Sequence, residues 1–193
     1  KERKEALEVA RPQWVIDGAS IEKEIEAEIT SEETKTVIEG FRVMIPTGGS
    51  SGKIRFAIHD WETLSAAVEG LRKHFDSPTI SSLCVLPLYH VSGFMQTIRS
   101  ALTGGKVVFN LGPSFIEDCQ ALFSLAPEDR FLSLVPTQLR KLLRDDSSVR
   151  CLGEFRAIFC GGGPLPQDLA RASREARLPL APTYGMTETA AQV

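Results

Sequence analysis

A glycine- and serine-rich stretch is the first part of this sequence whose residue types suggest chemistry. The segment IPTGGSSGKI, residues 45–54, follows an apolar run and ends on a lysine, with an arginine just beyond it. Backbone N–H groups in such a loop can converge on an anion, because no side chain blocks the approach and the hydroxyls add donors. Two cations then add charge beside the bound group. The residues of this predicted phosphate loop are Thr47, Gly48, Gly49, Ser50, Ser51, Gly52, Lys53 and Arg55.

Three other interpretations of the loop remain open on the residues alone. A P-loop NTPase needs glycine at position 47 and serine or threonine at position 54, where this chain has Thr47 and Ile54. The G-x-S-x-G pattern around Ser50 is typical of a hydrolase nucleophile, but no histidine follows His90 to act as its base. The third interpretation is a flexible turn without a ligand.

Short β-rich runs alternate with helical segments from residue 41 onward. The runs FRVMIPT, SLCVLPL, KVVFN, RFLSLVP and FRAIFC predict strands, and DWETLSAAVEGLRKHF predicts a helix capped by Asp60. The apolar face of that helix comprises Trp61, Leu64, Val68, Leu71 and Phe75. This alternation predicts an α/β fold with a mostly parallel sheet and helices on both faces. Ligands of such sheets bind beyond the carboxyl ends of the strands, where we expect the loops 47–52, 161–163 and 185–189.

The first forty residues differ in composition from the rest of the chain. They hold 6 Lys/Arg and 11 Asp/Glu, so we interpret residues 1–40 as an acidic arm and residues 41–193 as the ligand-binding domain. Within the arm, IEKEIEAEI has the spacing of a thin helical stripe, although its alternation also suits an edge strand.

Composition excludes several classes of protein. A formal net charge of −3 gives no electrostatic footprint for nucleic acid. No apolar run approaches the roughly 20 residues of a membrane span, and the charged beginning carries no signal segment, so we expect a cytoplasmic protein. The 4 cysteines are too widely spaced for a zinc site or a disulfide framework, which predicts reduced, buried thiols.

Five motifs together resemble a known family. The sequences TGGSSGKIRFAIH, LPLYHVSGF, SLVPTQL, GGGPLP and PTYGMTETA occur in the order and approximate spacing found in the adenylate-forming acyl- and aryl-CoA synthetases. The residues of these motifs are most similar to those of the branch that acts on o-succinylbenzoate in menaquinone and phylloquinone biosynthesis. The resemblance covers residues 41–193 and implies part of the large N-terminal domain. The small C-terminal domain of the family, with its catalytic lysine, is absent, so we interpret the chain as a fragment.

The resemblance implies an activity and a role for each motif. Such enzymes attach a carboxylate to AMP with release of pyrophosphate, and then let the thiol of CoA displace AMP. The loop Thr47–Lys53 would hold the β- and γ-phosphates of ATP, Thr187 would donate to the α-phosphate, and Glu188 would hold Mg²⁺. The implied partners are therefore ATP, Mg²⁺, CoA and a small carboxylic acid, with self-association left open.

The resemblance also implies where the adenine and the acid bind. Gly161, Gly162 and Gly163 would leave a flat slot for adenine, with Tyr184 as a stacking face and Gly185 beside it. His90 would orient the acid's carboxylate or gate its entry. The other two histidines, His59 and His74, are interpreted as structural or surface residues.

The chain departs from the family where the phosphate loop ends. Ile54, Arg55 and Phe56 replace the usual proline, lysine and glycine, so a cation is kept but the loop's dynamics and turnover are expected to differ. This departure favours one alternative, a non-catalytic interaction module that retains the fold. A second, independent alternative is a ligase for another aryl or fatty acid.

Overall fold

The computed structural model describes residues 14–17, 20–23, 42–47, 55–110, 114–126 and 128–192. The predicted phosphate-loop residues Gly48, Gly49, Ser50, Ser51, Gly52 and Lys53 lie outside these ranges. The strands, in chain order, are β1 (Trp14–Asp17), β2 (Ser20–Lys23), β3 (Val43–Thr47), β4 (Arg55–His59), β5 (Ser81–Cys84), β6 (Val107–Phe109), β7 (Arg130–Leu134), β8 (Ala157–Cys160), β9 (Leu180–Pro182), β10 (Gly185–Met186) and β11 (Ala191–Gln192). The helices are α1 (Trp61–Phe75), α2 (Val91–Thr103), α3 (Phe115–Leu125), α4 (Pro136–Leu142), α5 (Asp146–Gly153) and α6 (Gln167–Glu175).

The core of the fold is a sheet of 5 parallel strands in the order β6-β5-β7-β8-β9. Strands β5 and β8 are buried at every position, as expected for strands covered on both faces. The sequence of β8, AIFC, is apolar throughout, and β5, SSLC, leads into the apolar run LCVL, so both could be predicted from the residues. The structure confirms the predicted parallel α/β arrangement.

Helices cover both faces of the sheet. On one face α3, α4, α5 and α6 pack against side chains such as Leu132 and Ile158. On the other face α1 and α2 pack against Phe131 and Phe159, whose rings stack with centroids 5.8 Å apart. Because successive side chains of a strand point to opposite faces, each central strand contributes to both cores.

The central strand β7 offers a direct test of this packing. Leu132 is fully buried (0% exposed), so we expect Leu132→Ala to lower the free energy of unfolding by about 2–5 kcal/mol, through lost burial and the cavity left behind. Leu125, 57% exposed at the end of α3, is the matched control, and Leu125→Ala should change the value by about 0.5 kcal/mol or less. Urea denaturation measures both, and equal losses would contradict the two-core arrangement.

Helix α1 begins as predicted. Thr63 N–H donates to Asp60 Oδ1 at 2.8 Å, and Asp60 N–H donates to Thr63 Oγ1 at 3.0 Å, which satisfies two donors of the first turn. The bond from the Thr63 N–H is also the main reason that the pKa of Asp60 lies below its ordinary value. One detail of the prediction is wrong. Trp61 is 47% exposed, whereas Leu64 and Val68 of the same face are buried in the core.

Strands β3 and β4 form an antiparallel pair, with Val43 opposite His59 and Thr47 opposite Arg55. The expectation that the loop 47–52 follows a strand of the parallel sheet is therefore wrong. Only 7 residues separate β3 from β4, too few for the crossover of a dozen or more residues that a parallel partner needs. The other two loops, 161–163 and 185–189, do follow the parallel strands β8 and β9. In the N-terminal arm, β1 and β2 form a second antiparallel pair that includes part of the IEKEIEAEI segment.

The cysteines agree with the expectation of reduced thiols. Cys84, Cys119 and Cys160 are buried, Cys151 is half-buried, and all 4 are free. Burial raises the pKa of each thiol above its ordinary value. None is therefore activated as a nucleophile.

Candidate functional site

The predicted site residues follow the carboxyl ends of neighbouring parallel strands. His90 comes after β5, the three glycines after β8, and Tyr184 after β9. The strand that follows β5 in the chain, β6, lies on one side of β5, and the next strand, β7, lies on its other side. Such a reversal opens a crevice at the carboxyl edge, which is where α/β sheets bind ligands.

The glycines after β8 lie against the segment that leads to Tyr184. A Cβ atom on Gly161 would be 2.8 Å from Thr183 Oγ1, and Gly162 has φ of +77°, a left-handed conformation that favours glycine. Thr183 N–H donates to Cys160 O at 2.9 Å and fixes the start of the next loop. Tyr184 is 70% exposed. The glycine segment thus packs against Thr183, the residue before the exposed Tyr184 that is predicted to stack on adenine.

Thr187 and Glu188 lie in a 3₁₀ turn, Thr187–Thr189, which is enclosed by the short strands β10 and β11. Thr189 Oγ1 donates to Met186 O at 3.1 Å within this turn. The next two residues, Ala190 and Ala191, have φ of 55° and 87°, in the left-handed region that is costly for any residue with a Cβ. Glu188 is exposed, so its carboxylate is accessible to a ligand.

Gly185 is required by the close approach of these two short strands. A Cβ atom at this position would lie 1.6 Å from Ala191 O, so Gly185→Ala must displace the turn that carries Thr187 and Glu188. We expect this variant to lose measurable Mg-ATP binding in titration calorimetry while the sheet stays folded. Gly70→Ala is the control, because no atom lies within 4 Å of its Cβ position in α1. Unchanged binding by Gly185→Ala would contradict a nucleotide role for the turn.

The β3–β4 hairpin packs against the same turn. Both strands contact the residues Thr187–Thr189. The ring of His59, at the end of β4, lies with Nε2 2.7 Å from Thr187 O. Because Thr47 and Arg55 are paired across this hairpin, the predicted phosphate loop starts and ends on an element that contacts the Thr187–Glu188 turn.

The three histidines have different environments. His59 is 3% exposed, so it is structural rather than a surface residue, whereas His74 is exposed. His90 is exposed at the N-cap of α2, its ring 4.6 Å from that of Tyr89, and makes no side-chain cap hydrogen bond. Its ring nitrogens are therefore not used in capping the helix.

Gly93 explains why a glycine follows His90 in the YHVSG motif. A Cβ atom here would lie 2.2 Å from Pro87 O, so α2 can approach the loop after β5 only because this residue has no side chain.

Sequence reasoning missed a buried cation, Arg99 of α2, which is 2% exposed. Its Nη2 donates to Gln192 Oε1, and its Nε has no partner among the described residues. Burial lowers the pKa of Arg99 to about 10, and no described carboxylate offsets this effect. A guanidinium of this kind is costly to bury without an anion. The signal available in the sequence was an arginine as the single charged residue of the predicted helix FMQTIRSAL.

Gln138, in the SLVPTQL motif, was also missed as a site-supporting residue. Val135 N–H donates to Gln138 Oε1 at 3.0 Å, and Gln138 Nε2 donates to Val85 O at 3.2 Å. One side chain therefore joins the loops after β7 and β5, next to the predicted acid pocket.

The donor set for a metal is small. Within the described ranges, no group of three or more His, Cys, Asp or Glu side chains is placed to hold an ion. A single accessible carboxylate, Glu188, suits Mg²⁺, because this ion keeps several waters and is bound through one or two carboxylates together with substrate phosphates.

A cavity of about 310 Å³ lies at the opposite, amino end of β7 and β8. Four of its charged side chains form two ion pairs, Arg156 with Asp129 at 3.3 Å and Arg130 with Glu154 at 3.8 Å. This cavity is separate from the candidate site. In the described part of the chain, no helix has the length and apolarity needed to cross a membrane.

Comparison with known proteins decides the family. The sequence matches the AMP-binding enzyme family over residues 1–193. The chain belongs to this family. The match includes residues 1–40, where the motifs alone gave no resemblance.

Several curated and solved members of the AMP-binding enzyme family are similar to this chain. A probable 2-succinylbenzoate–CoA ligase of Mycobacterium tuberculosis is 31% identical over 76% of this chain and 39% of its own length. A 2-succinylbenzoate–CoA ligase of Bacillus subtilis is 31% identical over 91% of this chain and 34% of its own length. The chain thus spans little more than a third of these relatives.

Solved structures show the same relationship. The o-succinylbenzoate coenzyme A synthetase from Bacillus subtilis, in complex with ATP and a magnesium ion, matches with a TM-score of 0.66 and 29% identity. The match covers 78% of this chain and 31% of that one. The same synthetase in complex with an acyl-adenylate intermediate matches with a TM-score of 0.66 and 28% identity.

Proposed function

We propose that this chain forms the nucleotide- and acid-binding part of an ATP-dependent acid–CoA ligase. The enzyme activates a carboxylic acid as its acyl-adenylate and then transfers the acyl group to CoA. The observation that carries the proposal is the contact between the β3–β4 hairpin and the Thr187–Glu188 turn, joined by His59 and Thr187 at 2.7 Å. This contact brings the base of the predicted phosphate loop and the predicted magnesium ligand to one region.

The chemistry needs positive charge at this place. A carboxylate and a triphosphate repel each other, so cations and donors must screen the repulsion and stabilise the phosphoryl group that is transferred. Lys53 and Arg55 supply charge beside the loop, and Thr187 supplies a donor for the α-phosphate. Mg²⁺ held by Glu188 and the phosphates would polarise the phosphoryl oxygens when bound.

The acid that we propose is o-succinylbenzoate. This molecule has two carboxylates, of which one is activated and the other must be held unreacted. His90, at the N-cap of α2, is suited to bind the carboxylate that is activated. The buried Arg99 of the same helix is suited to bind the carboxylate that is held unreacted. The names of the relatives support this choice, since they act on 2-succinylbenzoate. We place the reaction in the cytoplasm, where ATP and CoA are supplied.

Pyrophosphate release across a panel of acids tests the proposal. The protein encoded by the complete reading frame should release pyrophosphate from Mg-ATP with o-succinylbenzoate, and much more slowly with benzoate or a fatty acid. Faster release with a monocarboxylic acid would indicate a ligase for another substrate. Binding of ATP without release for any acid would support a non-catalytic module, as the change to Ile54, Arg55 and Phe56 also suggests.

A further inference from the structure

We propose that His59 is a positioning residue that holds the Thr187–Glu188 turn in the conformation that binds Mg-ATP. This inference rests on the proposed function, because it assigns a support to the same nucleotide site. His59 touches neither the predicted phosphates nor the acid. It acts through the backbone of Thr187.

The hydrogen bond has a defined direction. His59 is 3% exposed, and its Nε2 lies 2.7 Å from Thr187 O. A carbonyl oxygen can only accept, so the hydrogen must be on Nε2 of the imidazole. This requirement fixes the tautomer of a neutral His59.

The turn needs support from outside. Ala190 and Ala191 have φ of 55° and 87°, so the backbone after Glu188 is held in a conformation that side chains disfavour. Thr189 makes its hydrogen bonds within the hairpin that encloses the turn. Among the side-chain hydrogen bonds of the described residues, the one from His59 reaches Thr187–Thr189 from outside the hairpin of β10 and β11. Its loss leaves the turn free to relax.

His59 also couples two parts of the site. It ends β4, whose first residue, Arg55, follows the predicted phosphate loop. A paired five-residue strand is stiff, so the loop's end and the Thr187 carbonyl are held at a fixed separation. The arrangement presets the distance between Arg55 and the turn that carries Thr187 and Glu188.

A pair of amide variants tests the inference. In His59→Gln the amide nitrogen is separated from Cβ by the same number of bonds as Nε2 of histidine, whereas in His59→Asn it is one bond nearer. We expect His59→Asn to raise KM for Mg-ATP about tenfold, the effect of one lost buried hydrogen bond, and to leave KM for the acid within about twofold. His59→Gln should remain close to the wild type. Wild-type kinetics in both variants, or equal impairment in both, would overturn the inference.

Amide hydrogen exchange provides a readout that needs no catalysis. The amides of residues 187–192 should exchange faster in His59→Asn than in His59→Gln, while the thermal midpoints of the two variants stay similar. Equal exchange would overturn the positioning role. If the wild type releases no pyrophosphate, the ligase proposal fails, and the exchange rates still decide whether His59 holds the turn.

Discussion

Replacing Glu188 by glutamine is expected to slow pyrophosphate release from Mg-ATP by about 100-fold or more. Glutamine keeps the size of the side chain but removes the charge that Mg²⁺ requires. Glu188 is exposed on the turn beside the β3–β4 hairpin, and no described group of three or more metal-ligating side chains could replace it. The loss should be partly recovered at high Mg²⁺ concentration, which a magnesium titration of the rate would show.

Glu175→Gln is the matched control for this variant. Glu175 is an exposed carboxylate on α6 that pairs with Arg171 at 3.9 Å, away from the carboxyl edge of the sheet. Its removal should leave the rate and the magnesium dependence unchanged. A Glu188→Gln enzyme with wild-type rate at every magnesium concentration would remove Glu188 from the metal site.

Arg99→Met should lower kcat/KM for o-succinylbenzoate by about 100-fold, with little change in KM for Mg-ATP. The guanidinium is buried, and its Nε lacks a described partner, so a carboxylate of the acid can take the open position. Loss of one member of a buried charged pair costs about 2–5 kcal/mol, or roughly 30- to 5,000-fold, a range that includes the expected change. Methionine fills a similar volume without the charge.

Two comparisons separate a substrate role from a structural one. Arg99→Lys keeps the charge but not the forked donors, and should have an intermediate effect. Arg171→Met, at an exposed arginine of α6, should have none. With benzoate, which lacks a second carboxylate of this kind, Arg99→Met should behave as the wild type does. Equal losses for both acids would show that Arg99 supports the fold rather than the substrate.

The central sheet was predictable because its strands are buried on both faces. A run such as AIFC of β8 is apolar throughout because helices cover both faces of the sheet, and the intervening helices carry apolar residues at helical spacing. The cap of α1 was likewise local, since Asp60 and Thr63 are three residues apart. The short helix α5 was missed, because its 8 residues, DSSVRCLG, begin with three polar side chains and give too short an apolar pattern.

The geometry of the site depended on contacts that no local pattern contains. His59 and Thr187 are 128 residues apart in the chain, so their hydrogen bond could not be expected from either motif. Arg99 is a candidate site residue because it is buried, and it is buried where β11 packs against α2. The candidate ligand-binding residues could be predicted from the sequence motifs. The residues that support them could be found only from the tertiary packing.

A crystal structure of the protein with Mg²⁺ and a non-hydrolysable ATP analogue tests the central claim most directly. The claim is that the loop of residues 47–53 and the Thr187–Glu188 turn bind one triphosphate from two sides. We predict β- and γ-phosphates within hydrogen-bond distance of the loop, the α-phosphate at Thr187, and Mg²⁺ bound by Glu188. A triphosphate that contacts only one of these two segments, or that binds elsewhere on the sheet, would contradict the account.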